Sequence, residues 1–396
     1  MSTTTLDAPR IRLDRLDTLA YATLLAFVAV IQLSIAASQI LLTLTVLFAA
    51  LLVVVGHERL AIPAVFWPLG LYIVATLVSA LNSGDPLESL TDCKQLVLFA
   101  IVPVVYRLAR GERARMVMRV VLTLGAISAL IGVVQYGVLH FDNLGRRPQG
   151  TLSHYMTYSG ALMLVAGAAV ARLLYLTRER VWPALIMPAL LVALALTFTR
   201  SAWVGVCAAI GMLFALKDLR LFASLPIVAA LFFALAPAAL TDRVYSMFDL
   251  HDPTNRDRVA MLRYGGHMVR DHPWTGVGPD RVKEVYADYL DTDGTHTINP
   301  HLHNVPMQIA AERGLPALAC WLWLMVRLFV DLVRRFRRGV APHLTAAALA
   351  AIVSMLAAGL FEYNFGDSEF LMLWLVLVTL PYAAAAERTD ALEVRA

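Results

Sequence analysis

Of the 396 residues, 59% are hydrophobic and only 16% charged, and the mean hydropathy is +0.67. An ordinary soluble globular enzyme is excluded, since such domains carry about a quarter charged residues and a smaller apolar share. The formal net charge of +4 says little by itself, because loop arginines that set membrane topology account for most of it.

Apolar runs of about 18 residues or more recur along nearly the whole chain, which lays the hydrophobic material out as bilayer spans rather than as one buried core. They show no period-2 alternation, and lipid tolerates only helices or closed barrels, so the expected fold is all-α and polytopic. Spans are expected at about 17–36, 38–56, 61–81, 93–109, 117–139, 157–176, 183–199, 201–216, 221–240, 304–327, 344–362 and 368–386, about twelve in all. The first run follows Arg10, Arg12 and Arg15 and lacks a small-residue cleavage site, so it reads as a retained span and not as a removed signal.

With twelve spans the connections alternate sides. Arg10 to Arg15, Arg59, Arg107 to Arg119, Arg172 to Arg180, Lys217 with Arg220, and Arg327 to Arg338 then share one side, which the positive-inside rule makes cytoplasmic, together with both termini. The other side carries short links and one long insertion, roughly 241–303, expected to contain short helices. The whole chain is thus one transmembrane domain with this insertion inside it. No fixed-period repeat is evident, and no G-x-x-x-x-G-K-[ST] stretch offers ATP chemistry, so a group transfer must draw its energy from the substrate. Cys93, Cys207 and Cys320 lie far apart in or beside spans and read as packing residues.

Arginines on the outer side lack a topological explanation. Gly145-Arg146-Arg147-Pro148-Gln149-Gly150-Thr151-Leu152-Ser153-His154 leads into the sixth span, and its arginines fit either headgroup contact or an anion site. Arg200, in Thr197-Phe198-Thr199-Arg200-Ser201-Ala202-Trp203, stands where one span ends and the next begins, as a snorkelling residue or as an anion-binding guanidinium. In the helix-like stretch Asn255 to Arg270, Arg256, Arg263, His267 and Arg270 share one stripe suited to solvent. Arg258 stands alone on the opposite face among Met261, Leu262, Gly265 and Val269, where it needs an acidic partner or a phosphate.

His272-Pro273-Trp274-Thr275-Gly276-Val277-Gly278-Pro279 reads as a rigid turn. Asn299-Pro300-His301-Leu302-His303-Asn304 then enters an apolar helix containing Glu312-Arg313-Gly314. A histidine there can take a proton from a hydroxyl. His301 and His303 could with His296 hold a metal, but no acidic or cysteine ligand stands at a convincing spacing, and Asp291-Thr292-Asp293 has a D-x-D form that chance also produces. Asp92 with Lys94, and Glu362 with Asp367, read as groups that trim helix ends.

The order Thr-Arg-Ser-x-Trp, a long outer loop with Arg258 and His-Pro-x-x-Gly-Val-Gly-Pro, then His303-Asn304 and Glu312-x-Gly314 resembles the O-antigen ligase and polymerase superfamily, from about Gly145 to the tenth span. The resemblance implies a glycosyltransferase of the bacterial inner membrane with a periplasmic active site, moving an O-antigen polysaccharide from undecaprenyl pyrophosphate to the lipid A core without metal or other cofactor. It implies two essential arginines and one histidine, mapped here to Arg200, Arg258 and His303, with Arg256 and Arg263 close enough to compete for the second arginine. Arg147, His154, Arg256, Arg263, His301 and Asn304 are expected to bind substrate. The partners implied are the lipid-linked donor, the lipid A core acceptor and membrane lipids, with no nucleic acid. Rival readings are a polymerase or protein oligosaccharyltransferase of the same superfamily, and a transporter of an anionic solute.

Overall fold

The computed structural model describes residues 7–57, 61–249, 251–290 and 299–393. Asp291, Asp293, His296 and Arg59 lie outside the described residues, and so do the side chains of Arg10 and Arg12. The chain is helical almost throughout, and the described residues contain no strand, only an isolated bridge between Asn143 and Arg146. The helices are α1 Asp7–Val30, α2 Ile35–Val55, α3 Trp67–Leu81, α4 Pro86–Asp92, α5 Ile101–Leu108, α6 Glu112–Gly137, α7 Tyr155–Tyr175, α8 Val181–Leu196, α9 Arg200–Lys217, α10 Leu225–Leu235, α11 Ala238–Tyr245, α12 Pro253–Asp271, α13 Val282–Val285, α14 Val305–Arg337, α15 Pro342–Ala358 and α16 Ser368–Glu393.

Eight segments are long and apolar enough to cross a membrane, and three shorter apolar helices, Val181–Leu196, Leu219–Leu235 and Pro342–Ala358, accompany them among the described residues. The protein is therefore a multi-pass membrane protein. Each expected span has a helical counterpart, but the boundaries differ in physical detail. The first helix stops at Val30, and Ser34 caps α2 by accepting from the Ala37 amide. The expected tenth span ends at 327, whereas α14 runs on to Arg337. It is also broken at Gly314, whose φ of 79° is left-handed and leaves the helix path, with Pro316 just beyond.

The centre of the bundle is built from α7, α15 and residues 368–386 of α16, whose side chains are almost all buried. Small residues let these backbones approach, which is how helices associate where lipid gives no hydrophobic drive. A Cβ on Gly160 would meet the Phe370 ring at 2.8 Å, and one on Gly205 would meet the Ser354 carbonyl oxygen at 2.8 Å. The outer helices expose apolar side chains such as Leu47, Leu51 and Val54 of α2 and Ile227, Val228 and Leu231 of α10, surfaces that lipid can solvate.

The insertion folds against the first turns of α14. Met261, Tyr264 and Met268 of α12 pack with Val277, Val282, Tyr286, Leu302 and Ala311 as a separate apolar core. At Gly265 an added Cβ would meet Met307 Cγ at 2.6 Å, so glycine sets how closely α12 lies on α14.

The segment after α12 is fastened to the break in α14. The amides of Val277 and Gly278 donate to the carbonyls of Ala311 and Glu312 at 2.8 and 2.9 Å, and Leu315 donates to Pro273 at 2.8 Å. Gly276 (φ 66°) and Gly314 face this contact, where an added Cβ on either would come within 2.3 Å of backbone atoms of the other strand of chain. The Gly-Val-Gly amides are therefore used by helix carbonyls, in keeping with a rigid turn.

Candidate active site

One end of the bundle collects the start of α7, the start of α9, α11, α12, the entry to α14 and the link between α15 and α16. Local sequence explains each placement. Between α8 and α9, Thr197 hydroxyl donates to the Leu194 carbonyl and accepts from the Thr199 amide, while Phe198 takes a left-handed φ of 54° and buries its ring. The chain turns sharply and leaves Arg200 as the first residue of α9. A cation at a helix N-terminus meets the positive end of the helix dipole, so it stays only with compensation. Arg200 finds it in the Ser246 carbonyl at 2.9 Å and the Asp252 carboxylate at 3.4 Å.

Asp252 is also the N-cap of α12, accepting from the amides of Thr254 and Asn255 at 3.0 and 3.3 Å. Burial would raise this carboxyl, but Arg200 and the capping amides hold it below the ordinary aspartate value. The cap sets the rotation of α12, and with it Arg258. Arg258 is largely buried, and its Nε finds no hydrogen-bond partner among the described residues. Burial pulls its pKa down, Glu362 opposes that, and Arg200 adds to it.

The link before α7 is pinned by Gln135 of α6, which accepts from the amides of Gln149 and Gly150 at 2.9 Å each and donates to the Gly150 carbonyl at 2.6 Å. Gly150, at φ 61°, has no room for a Cβ beside the Tyr158 ring. This holds Arg147 over the Tyr155 ring at 4.3 Å and leaves His154 as the N-cap of α7. His154 is held below its usual value by desolvation and by Arg147, His301 and His303, against the pull of Glu362.

Arg243 of α11 belongs to the same group. Its Nε donates to the Phe198 carbonyl at 3.3 Å, and burial followed by the charges of Arg200 and Arg147 brings it down to about 10, still protonated at neutral pH. Arg147, Arg200, Arg243 and Arg258 thus feel one another, with Asp252 and Glu362 as the carboxylates that oppose them. Four guanidinium groups against two carboxylates leave a surplus of two positive charges.

His301 and His303 precede α14 and flank Leu302, whose amide donates to the Gln308 side chain at 2.6 Å. Gln308 in turn donates to Glu312, which also accepts from the Asp280 amide at 3.0 Å. His303 has a left-handed φ of 48°, and its Nδ1 lies 3.0 and 3.1 Å from the two carboxylate oxygens of Glu362. His301 Nε2 lies 3.2 Å from the same carboxylate. Burial alone would raise Glu362, but the two histidines outweigh it and hold the carboxyl well below the ordinary glutamate range.

The structure therefore brings together Arg147, His154, Arg200, Arg258, His301 and His303 among the residues expected from sequence. It does not bring in the others. Arg256 and Arg263 are exposed on the far stripe of α12. Asn304 is committed at both ends of its amide, accepting from the Met307 amide at 2.8 Å as the α14 cap and donating to the Leu360 carbonyl at 3.0 Å. Glu362 is the clearest correction: read as trimming a helix end, it is instead a buried acid shared by two histidines. Arg243 and Gln135 gave no signal of their own, because nothing local marks a residue whose partners lie far off in sequence.

His301, His303 and Glu362 also place three potential ligand atoms within 4.8 Å of one another, so the acidic neighbour that the sequence did not supply for a metal comes from a distant link. The rings already lie at ordinary N–H to O distances from the carboxylate, so hydrogen bonds alone account for the geometry.

No curated protein matches the chain. Residues 185–322, from α8 into α14 and so including Arg200, Arg258, His301 and His303, match the family model described as O-Antigen ligase, so this stretch of the chain is similar to that family.

Proposed function

We propose that the protein is an O-antigen ligase that moves a polysaccharide from undecaprenyl pyrophosphate to the lipid A core oligosaccharide on the periplasmic face of the inner membrane. The observation that carries this reading is the surplus of two positive charges held by Arg147, Arg200, Arg243 and Arg258 around the unpartnered Nε of Arg258. A diphosphate diester bears two negative charges, and its oxygens suit guanidinium forks.

In this mechanism the acceptor hydroxyl attacks the anomeric carbon as the bond to the diphosphate breaks, which inverts that centre. Arg258 and Arg200 stabilise the charge that grows on the leaving diphosphate, an effect strongest where water is scarce. Arg200 does so through its charge while bound to Ser246 and Asp252. His303 takes the hydroxyl proton. No metal is required, because guanidinium groups carry the charge. The reading also holds that the chain crosses the membrane about twelve times, with both termini in the cytoplasm.

Arg258→Ala and Arg200→Ala should each lower transfer by about 100-fold or more, the usual loss on removing one oxyanion donor. The assay is purified protein with lipid-linked donor and lipid A core, the products sized on a gel. Undiminished transfer by the Arg258 variant would remove the clamp, and chain growth on the donor without lipid A core would turn the reading to a polymerase.

A further inference from the structure

Glu362 is out of place in a site built to hold an anion. Its charge works against a diphosphate, yet it is buried beside the arginines and both of its oxygens are engaged. Its contacts are with His303 Nδ1, His301 Nε2 and the amide of Tyr363, which donates to Oε1 at 3.1 Å.

An ionised carboxylate can only accept hydrogen bonds. The ring proton of His303 must then reside on Nδ1, and the lone pair must be on Nε2. The proton of His301 likewise resides on Nε2. The histidine segment is held from the other side as well, by Leu302 on Gln308, so His303 keeps a left-handed backbone that a non-glycine residue adopts only when its surroundings impose it.

Resting on the transfer reading above, we propose that Glu362 is the positioning residue of the reaction: it fixes His303 in the tautomer whose Nε2 accepts the hydroxyl proton, and offsets the positive charge that arrives there. His301 is the second donor, which keeps the carboxylate turned toward His303. The step balances. The acceptor oxygen bonds to the anomeric carbon, the anomeric C–O bond to the diphosphate breaks and its electron pair leaves with the diphosphate, and the hydroxyl proton goes to Nε2 and then to water. The arginines handle the leaving group and the carboxylate handles the base, so the opposite charges have separate tasks.

The test uses the full-length protein in detergent and compares wild type with Glu362→Gln and Glu362→Asp. Glu362→Gln should lower kcat by about 100-fold or more while KM for the lipid-linked donor stays within about threefold, and the acidic limb of the pH–rate profile should move to lower pH. Glu362→Asp should recover part of the rate. A second readout needs no substrate: carbethoxylation of His303 by diethyl pyrocarbonate, followed by peptide mass spectrometry across pH, should show its midpoint moved to lower pH in Glu362→Gln. If the limb and the labelling midpoint both stay put, Glu362 is only a structural acid and the proposal falls. It falls equally if chelation abolishes wild-type transfer and added zinc restores it, since the triad would then be a metal site. A midpoint that moves in protein that transfers no glycan upholds the hold of the carboxylate on His303 and overturns the transfer reading instead.

Discussion

Arg200 occupies a position that electrostatics disfavours, the first turn of a helix, and is compensated by a carbonyl and a carboxylate from the insertion. Its companion Arg258 has no such compensation at Nε, and Arg243 has one carbonyl. These three differ from Arg256 in environment, not in chemistry. Arg243→Ala should therefore raise KM for the lipid-linked donor by about tenfold, the factor that about 1.4 kcal/mol of lost binding gives, whereas Arg256→Ala should leave kcat and KM unchanged. Steady-state kinetics on the two variants decides it, and equal losses would mean that the exposed stripe of α12 also binds substrate. Arg258 was legible in the sequence because helical periodicity puts it on the packed face of α12. Glu362 was not, since its partners stand about sixty positions away and a lone acid between two spans looks like any helix-end charge.

At the scale of elements, the two glycines that face each other across the contact between the post-α12 segment and α14 do what no other residue can. A Cβ at Gly276 would stand 2.3 Å from the Glu312 carbonyl carbon and oxygen, and its φ of 66° is itself unfavourable for alanine. Gly276→Ala should thus destabilise the protein by about 3 kcal/mol and lower transfer through the displaced Glu312, Gln308 and Leu302. Thermal unfolding in detergent measures the first effect, and an unchanged midpoint would show that the contact yields at no cost. The sequence showed that Gly276-Val277-Gly278 is a turn. It could not show that the turn docks on a helix break, because Gly314 and Pro316 inside an apolar run look like a tolerated kink until the hydrogen bonds of residues 311–315 are seen.

For the whole molecule, charge divides between two ends. One end holds the arginine and histidine cluster with Asp252 and Glu362 inside it, and beside it Arg281 pairs with Glu88 and Glu284 and Lys283 with Asp280. At the other, basic residues are matched by carboxylates: Asp17 by Arg107 and Arg113, Glu179 by Arg119 and Arg172, and Asp331 by Arg335. The apolar runs made the all-helical membrane fold readable from hydropathy alone. The count of spans was less so, since α8, α15 and the Leu219–Leu235 segment are apolar but short of a full bilayer, and only their packing tells what they do. Placing the cluster on the periplasmic side has a direct check. In protein whose three cysteines are replaced by alanine, a cysteine at the exposed His251 should react with an impermeant maleimide added to whole spheroplasts, and one at the exposed Arg338 should react only after lysis. The reverse pattern would turn the site toward the cytoplasm.

The fastening of α12 at both ends carries a lesson for reading variants. Asp252 secures its start to Arg200, and the Gly276 segment secures the chain after its end to α14. Lesions at either anchor would swing the Arg258 side chain away without touching it, so a genetic screen for inactive alleles should return glycines and a capping aspartate alongside the reactive groups. Alleles of that kind would mark the hinges of the scaffold, and their loss of activity would not by itself enrol them in the chemistry.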